Sequence, residues 1–339
     1  MDNPKKILVT YLMHLGDLVL TTPFLEVLRR SFPQAQIDYL VDEKLADVVR
    51  YNTHIDKVLT IDKKGRDNTL WALYKYACHL SHNGYDLLIN LHPNERTSFI
   101  CAMTKAKCKV GAVHRIFAPF FDRPLRLDRT IHAADMYLQV LQRLQITNDL
   151  TNSGLAMPTA PETDRFVEEF YARYCIRSED TLVGFNIGSA VLTKRWAGER
   201  FAQVADHFAT KGCKTVFFGG SMDLQLVQDA VRHMHTEPLL ATGSFSLQQL
   251  AAAMRRCRFI ITNDSGPMHV AISQKVPIVA MYGPSIPKLY GPYTKLATIV
   301  RSDPICNGCA GGMKHHCDDL RCMRDLSVSQ VIAAGERYL

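Results

Sequence analysis

The stretch FIITNDSGPMHVAISQKVPIVAMYG, residues 259–283, holds two apolar β-branched runs separated by a turn and a short helical segment. Two buried strands joined that way run parallel, because the crossover returns the chain to the same end of the sheet. The same alternation recurs along most of the sequence. KILVTYL, QIDYLV, KVLTI and DLLINL read as strands, while TPFLEVLRRSF, KLADVVRYN and TLWALYKYACHLSHN carry apolar residues at helical spacing. A second series starts with the helix DRFVEEFYARYC and the strand TLVGFNI. It continues through GERFAQVADHFATK, CKTVFFGG, MDLQLVQDAVRHM and LQQLAAAMRRC to the opening stretch, and closes with a helix from Ser327. Between the two series MPTAPETD, at 157–164, breaks into prolines and small polar residues, which predicts a hinge. The expected fold class is α/β: two Rossmann-like, doubly wound domains, 1–157 and 158–339, facing a central cleft.

With 339 residues, 47% of them hydrophobic, the chain is long enough for two cores. No apolar run approaches the roughly 18 residues of a membrane span, and MDNPKKILVTYL sets charges beside a short strand instead of a signal-peptide core. A cytoplasmic protein is expected, so its ten cysteines read as thiols or metal ligands before disulfides. The net charge of +7 is mild for this length, yet it is concentrated between Lys105 and Arg129, where seven Lys and Arg residues stand against Asp122 and Asp128. Such a cluster suits a phosphate-bearing partner, and equally a solvated basic face.

Ligands of doubly wound sheets meet the loops at the carboxyl ends of the strands. The first of these, YLMHLGDLVLTTP at 11–23, offers only Gly16 where a dinucleotide site wants G-x-G-x-x-G, which argues against an ordinary NAD enzyme. Asp17 stands there instead, able to cap the following helix or to act as a general base on an acceptor hydroxyl. His14 can share that work or line the pocket. In GFNIGSAVLTKRWAGERF, Gly188 and Ser189 follow a strand, and Lys194 and Arg195 bring a mobile cation and a planar donor fork that suit phosphate oxygens. The same basic pair also fits surface charge over a packed Trp196. In VFFGGSMDLQ, Gly219 and Gly220 allow close backbone approach, and Ser221 and Asp223 can cap a helix or bond a ribose or base. The opening stretch is the most specific: Pro267 fits the first turn of a helix, and the amides near Ser265 and Gly266 point out of its amino terminus as an anion site. His269 can reach a phosphate oxygen. Asp264 repels phosphate, so it reads as an orienter of the backbone donors and the histidine, or as a contact to a ribose or sugar hydroxyl. A carboxylate in one domain and a diphosphate cradle in the other suit transfer of a group from a nucleotide diphosphate to a hydroxyl.

Three stretches in order resemble the lipopolysaccharide core heptosyltransferases of glycosyltransferase family nine. They are HLGDLVLTTPFLEVLRRSFPQAQIDYLV, the K-R-W of TKRWAGERF, and NDSGPMHVA followed by PIVAMYGP. The resemblance covers nearly the whole chain. It implies a GT-B architecture, with the acceptor held mainly by domain 1–157 and ADP-L-glycero-D-manno-heptose (ADP-heptose) by domain 158–339. It further implies an inverting, metal-independent transfer that requires no cofactor. By matching position, Asp17 becomes the general base, Lys194 a cation on the donor diphosphate and Ser189 a hydroxyl near the phosphates. Asp264, Ser265, Gly266 and His269 become the loop that holds diphosphate and sugar. Ser265 stands where many members have Thr, and Ala190 where some have a second hydroxyl.

The acceptor so implied is the lipid A/Kdo-containing inner core at the cytoplasmic face of the inner membrane, rich in phosphate and carboxylate. His14, Arg115, Arg123 and Arg126 are its candidate contacts. Ile116, Phe117, Phe120 and Phe121 can touch the membrane surface there, although packing in a core or between the domains is the preferred reading. A monomer, peripheral to the membrane and with no nucleic-acid partner, is expected. In the Cys-rich segment 306–322, Cys306, Cys309, Cys317 and Cys322 admit a structural zinc, but the C-x-x-x-x-C spacing of the second pair favours reduced or redox-labile thiols. Three competing readings stay open. One is a transferase of the same fold using another nucleotide sugar, one an epimerase that turns over donor without acceptor. The third is a zinc-stabilised nucleic-acid binder in which Asp17 is dispensable.

Overall fold

In the computed structural model, which describes residues 3–302, 317 and 319–339, the apolar runs form two separate parallel sheets. The chain divides after Ala156 into one unit for each sheet. The first sheet comprises β1 (Lys6–Thr10), β2 (Gln36–Asp42), β3 (Lys57–Ile61), β4 (Tyr85–Asn90), β5 (Ala106–Ala112) and β6 (Arg123–Leu125), ordered β3-β2-β1-β4-β5-β6. The second comprises β7 (Leu182–Asn186), β8 (Lys214–Phe218), β9 (Leu239–Leu240), β10 (Phe259–Asn263), β11 (Ile278–Met281) and β12 (Ala297–Val300), ordered β12-β11-β10-β7-β8-β9. Counted from its own first strand, each sheet has the order 3-2-1-4-5-6. β1 therefore lies beside β4, and β7 beside β10, at the point where the winding reverses and ligands of such sheets bind.

Central strands such as β7 and β10 are buried at every position, because helices cover both faces of a parallel sheet. Their side chains build one core from Phe185, Phe217, Phe201, Phe208 and Trp196 in the second unit, and another from Leu8, Leu40, Leu88 and Ile100 in the first. The helices end and begin where their caps dictate. Ser246 and Ser327 each form a reciprocal capping box with a glutamine three residues on, which starts the helices Leu247–Arg255 and Val328–Glu336.

Three segments differ from their sequence reading. KLADVVRYN forms a 3-10 helix, Glu43–Val48, capped by Asp42 through the Lys44 amide, so the crossover from β2 to its parallel neighbour β3 is made by a 3-10 helix and turns in place of an α-helix. In MPTAPETD the hinge reading covers too much, because Pro161 opens the helix Pro161–Arg173 from a position where no amide donor is needed. The basic run from Lys105 is no continuous face: AKCKVGA is the strand β5, with Lys107 paired to Asp86 at 2.8 Å and Lys109 donating to the Ala102 carbonyl at 2.7 Å. Among the described residues, no helix is long and apolar enough to cross a membrane.

Candidate active site

In the first unit the loop leaving β1 carries Asp17 on the first turn of the helix Leu15–Leu20, half-buried, with His14 exposed at the N-cap. The loop is tethered from below by residues far away in sequence. Lys63, just past β3, donates to the Leu12 carbonyl at 2.8 Å while its charge is met by Asp42 at 2.8 Å, and Arg96 in turn holds the Lys63 carbonyl. Asn90, the last residue of β4, accepts from the Thr10 hydroxyl at 2.9 Å and donates to the Ala112 carbonyl at 2.6 Å, stitching the ends of β1, β4 and β5 together. Gly111 makes room for that stitch. It has φ +109°, and a Cβ there would stand 2.2 Å from the Asn90 carbonyl oxygen.

Two further groups converge on the loop. The Tyr11 hydroxyl bonds that of Tyr137 at 2.9 Å, and burial, with Tyr137 and the Asp17 carboxylate nearby, pushes it well above the ordinary tyrosine range. His92 follows β4 and stands edge-on to the Tyr11 ring at 5.7 Å. Burial, aided by Arg129, His14 and Lys63, pushes its imidazole down to about 4, so it is neutral at pH 7. Sequence reading passed over Lys63 and His92, since neither stands in a motif. The signal for His92 was its place directly after the strand that the 3-2-1-4 order sets beside β1.

The basic candidates in this unit fall in different places. Arg115 opens the exposed 3-10 helix Arg115–Phe120 after β5, and Arg126 follows β6. Arg123 lies at the level of Val110 within the sheet, and its guanidinium is taken by the Leu144 carbonyl at 3.4 Å. Phe121 joins the core, whereas Ile116 and Phe120 are 63% and 51% exposed, against the preferred reading that they pack inside.

In the second unit the loops after β7 and β10 meet. Lys194 and Asp264 form an ion pair at 2.7 Å with side chains only 13% and 7% exposed. Asp264 thus orients a lysine, a partner the sequence reading did not give it when it had Asp264 orient backbone donors and the histidine or touch a ribose or sugar hydroxyl. The Tyr282 hydroxyl also lies against Asp264, and burial together with that carboxylate raises the tyrosine well above its ordinary range. The Ser189 hydroxyl is 3.5 Å from the Asp264 carbonyl oxygen, and Arg195 donates to the Ser189 carbonyl at 2.8 Å. Asn186, ending β7, donates to the hydroxyls of Ser265 at 2.9 Å and Thr262 at 3.1 Å. Asn263, ending β10, donates to the Ile187 carbonyl at 2.8 Å and accepts from the Trp196 amide at 3.1 Å.

Ser265 is the N-cap of the helix Gly266–Ser273, Pro267 lies in its first turn, and His269 is buried. The first amides of a helix have no partner within it, so this terminus is a place for an anion, with the Lys194 ammonium close by. Asp223 closes over Gly188: a Cβ there would meet its carboxylate at 2.5 Å, while that carboxylate accepts from the Gly220 amide at 3.0 Å. Such an arrangement can grip a diphosphate and, as it departs, hold its charge.

Among the described residues no cluster of three His, Cys, Asp or Glu side chains could hold a metal ion. Cys306 and Cys309, half of the zinc reading, lie outside the described residues. Cys317 is half-buried, and Cys322 is part of the second unit's core, near Gly283.

Two 3-2-1-4-5-6 sheets with polar loops gathered at their winding reversals place the chain among the GT-B glycosyltransferases. Residues 73–315 match glycosyltransferase family 9 (heptosyltransferase), and the chain belongs to that family. It is similar to the crystal structure of a family 9 glycosyl transferase from Veillonella parvula, with 48% identity and a TM-score of 0.92 over 98% of this chain and 97% of that one. The fold is also that of the Escherichia coli ADP-heptose lipopolysaccharide heptosyltransferase II, at 20% identity and a TM-score of 0.81, covering 98% of each chain. Lipopolysaccharide heptosyltransferase 3 of E. coli K12 is 24% identical over 295 residues, 83% of each chain.

Proposed function

We propose that this glycosyltransferase moves heptose from ADP-heptose to a hydroxyl of the lipopolysaccharide inner core, with inversion at the anomeric carbon and without a metal. The observation that carries the reading is the buried Lys194–Asp264 pair beside the amino terminus of the helix Gly266–Ser273. A cation held in place before the donor arrives, next to outward-pointing amides, is what a departing diphosphate needs. The names of the relatives support the sugar and the acceptor: one is an ADP-heptose transferase and another a lipopolysaccharide heptosyltransferase.

In this mechanism the second unit holds the donor. Lys194, the Ser265 hydroxyl and the amides of Ser265 and Gly266 take the diphosphate, while Ser189 and His269 complete the pocket and Asp264 fixes the lysine. The first unit presents the acceptor. Asp17 accepts the proton of the acceptor hydroxyl as its oxygen bonds to the anomeric carbon, and the bond from that carbon to the diphosphate oxygen breaks to release ADP. His14, Arg115 and Arg126 face the anionic core. His92, neutral at pH 7, adds no positive charge to the loop that carries Asp17.

The test is ADP release from ADP-heptose, with and without heptose-deficient lipopolysaccharide, for the wild type and Asp17→Asn. Acceptor-dependent release should fall by about 10²–10⁴-fold in the variant while ADP binds as before. Release that needs no acceptor, or an Asp17→Asn enzyme as fast as the wild type, would overturn the reading.

A further inference from the structure

The large apolar side chains exposed on the first unit are unevenly placed. Leu70, Trp71 and Tyr74 on the helix Leu70–Ser81 are 71%, 62% and 41% exposed, and Ile116 and Phe120 project from the 3-10 helix Arg115–Phe120. Both elements pack against the helix Glu95–Met103, so the two clusters belong to a single helical layer. Phe99 and Phe117 meet edge to face at 5.9 Å within that layer. Trp71 stacks on Tyr74 at 5.7 Å, and the Lys75 ammonium stands 5.2 Å above the indole.

Charge in this layer is one-sided. From Thr69 to Tyr85 and from Arg96 to Phe121 there is no Asp or Glu, whereas Lys75, Arg96, Lys105, Lys107, Lys109 and Arg115 lie in those segments. Asp86 and Asp122 stand just beyond these segments, where Asp86 takes Lys107 at 2.8 Å, and Glu95 faces His114 at 3.8 Å, which leaves Lys75, Lys105 and Arg115 as the exposed cations without an ion pair among the described residues. Exposed indole and phenol rings flanked by Lys75, Lys105 and Arg115 complement the interface of an anionic bilayer.

We propose that this helical layer of the first unit is a membrane-docking surface that inserts Leu70, Trp71, Ile116 and Phe120 among the headgroups of anionic lipids. The inference deepens the functional reading above, in which the acceptor is lipid-borne, but it is tested without donor or acceptor so that the two can fail separately. Docking of this kind makes the search for a membrane-embedded acceptor two-dimensional.

The chain has two tryptophans, and Trp196 is buried, so Trp71 reports on its own surroundings. Purified protein is mixed with vesicles of phosphatidylethanolamine and phosphatidylglycerol whose acyl chains carry bromine, and with pure phosphatidylcholine vesicles as the control. Docking predicts co-sedimentation with the anionic vesicles that weakens as salt rises, and quenching of Trp71 by the brominated chains. Ile116→Ser/Phe120→Ser should lower the partition coefficient about tenfold or more with its far-ultraviolet dichroism unchanged. Absence of sedimentation and quenching at low salt overturns the proposal. So does equal binding by the double variant, or a wild-type dimer that the same variant dissolves without any change in lipid binding.

Discussion

Replacing Lys194 with methionine keeps most of the aliphatic stem and removes the ammonium that faces Asp264. Both side chains are nearly inaccessible, at 13% and 7% exposure, so the remaining carboxylate cannot recover its hydration without opening the loop. Removing one partner of a buried ion pair costs about 3–5 kcal/mol. Here the Tyr282 hydroxyl offers partial compensation, which points to the lower end, about 3 kcal/mol. In a unit of this size each kcal/mol moves the midpoint by about 2–4 °C, so ligand-free Lys194→Met should melt about 6–12 °C lower. Adding Asp264→Asn removes the stranded charge and should restore about 2 kcal/mol or more, a coupling that a double-mutant cycle reads directly. Calorimetric titration with ADP supplies the functional half. Loss of a charge-assisted bond to the diphosphate costs about 1.5–3 kcal/mol, which is about 10–100-fold in Kd. A single variant that melts with the wild type, or a double variant no more stable than the single one, would refute the claim that Asp264 depends on Lys194. Unchanged ADP affinity would remove the lysine from the donor site.

Lys63→Met frees the Leu12 carbonyl and strands Asp42, so the loop bearing Asp17 should drift. Steady-state kinetics should show kcat down by about 10–100-fold with donor KM nearly constant, and Lys63→Arg should recover part of it. Gly111→Ala forces a methyl group against the Asn90 carbonyl in a backbone conformation that favours glycine, which should cost about 3 kcal/mol in urea unfolding. His92 has a folded-state pKa of about 4, below its ordinary value of about 6.5, so between those values the unfolded chain takes up a proton that the folded chain refuses. Stability should therefore decline as pH falls from about 6.5 towards 4, and His92→Gln should flatten that part of the melting profile.

The central strands were legible because a sheet covered on both faces leaves uninterrupted apolar runs, as in FIITN and TLVGFN. The edge strand β3 was legible too, as KVLTI, but β5, β6 and β9 were not. β5 alternates lysine with small or apolar residues, a period-two pattern in which the charges drew the eye first, while β6 and β9 have only three and two residues. In the second unit the residues that meet in the loops after β7 and β10 stood out in the sequence because most follow a strand within a few positions. The first unit's loop depends on groups from β3 and β4, Lys63 and His92, whose proximity comes from strand order and not from spacing along the chain. Asp264 was recognised, but its partner lies 70 residues away, so its role in holding the lysine emerged only with the fold.

The shared strand order of the two units bears on how such an enzyme can diversify. Each unit gathers polar loops at its own winding reversal, and the candidate site residues lie in those loops and at the strand ends that feed them. On the proposed assignment of acceptor to the first unit and donor to the second, recombination between family members near Ala156 would exchange acceptor preference as a cassette and leave donor choice with the other half. Lineages could then vary the surface sugars they display by reshuffling halves, without reinventing the leaving-group machinery each time.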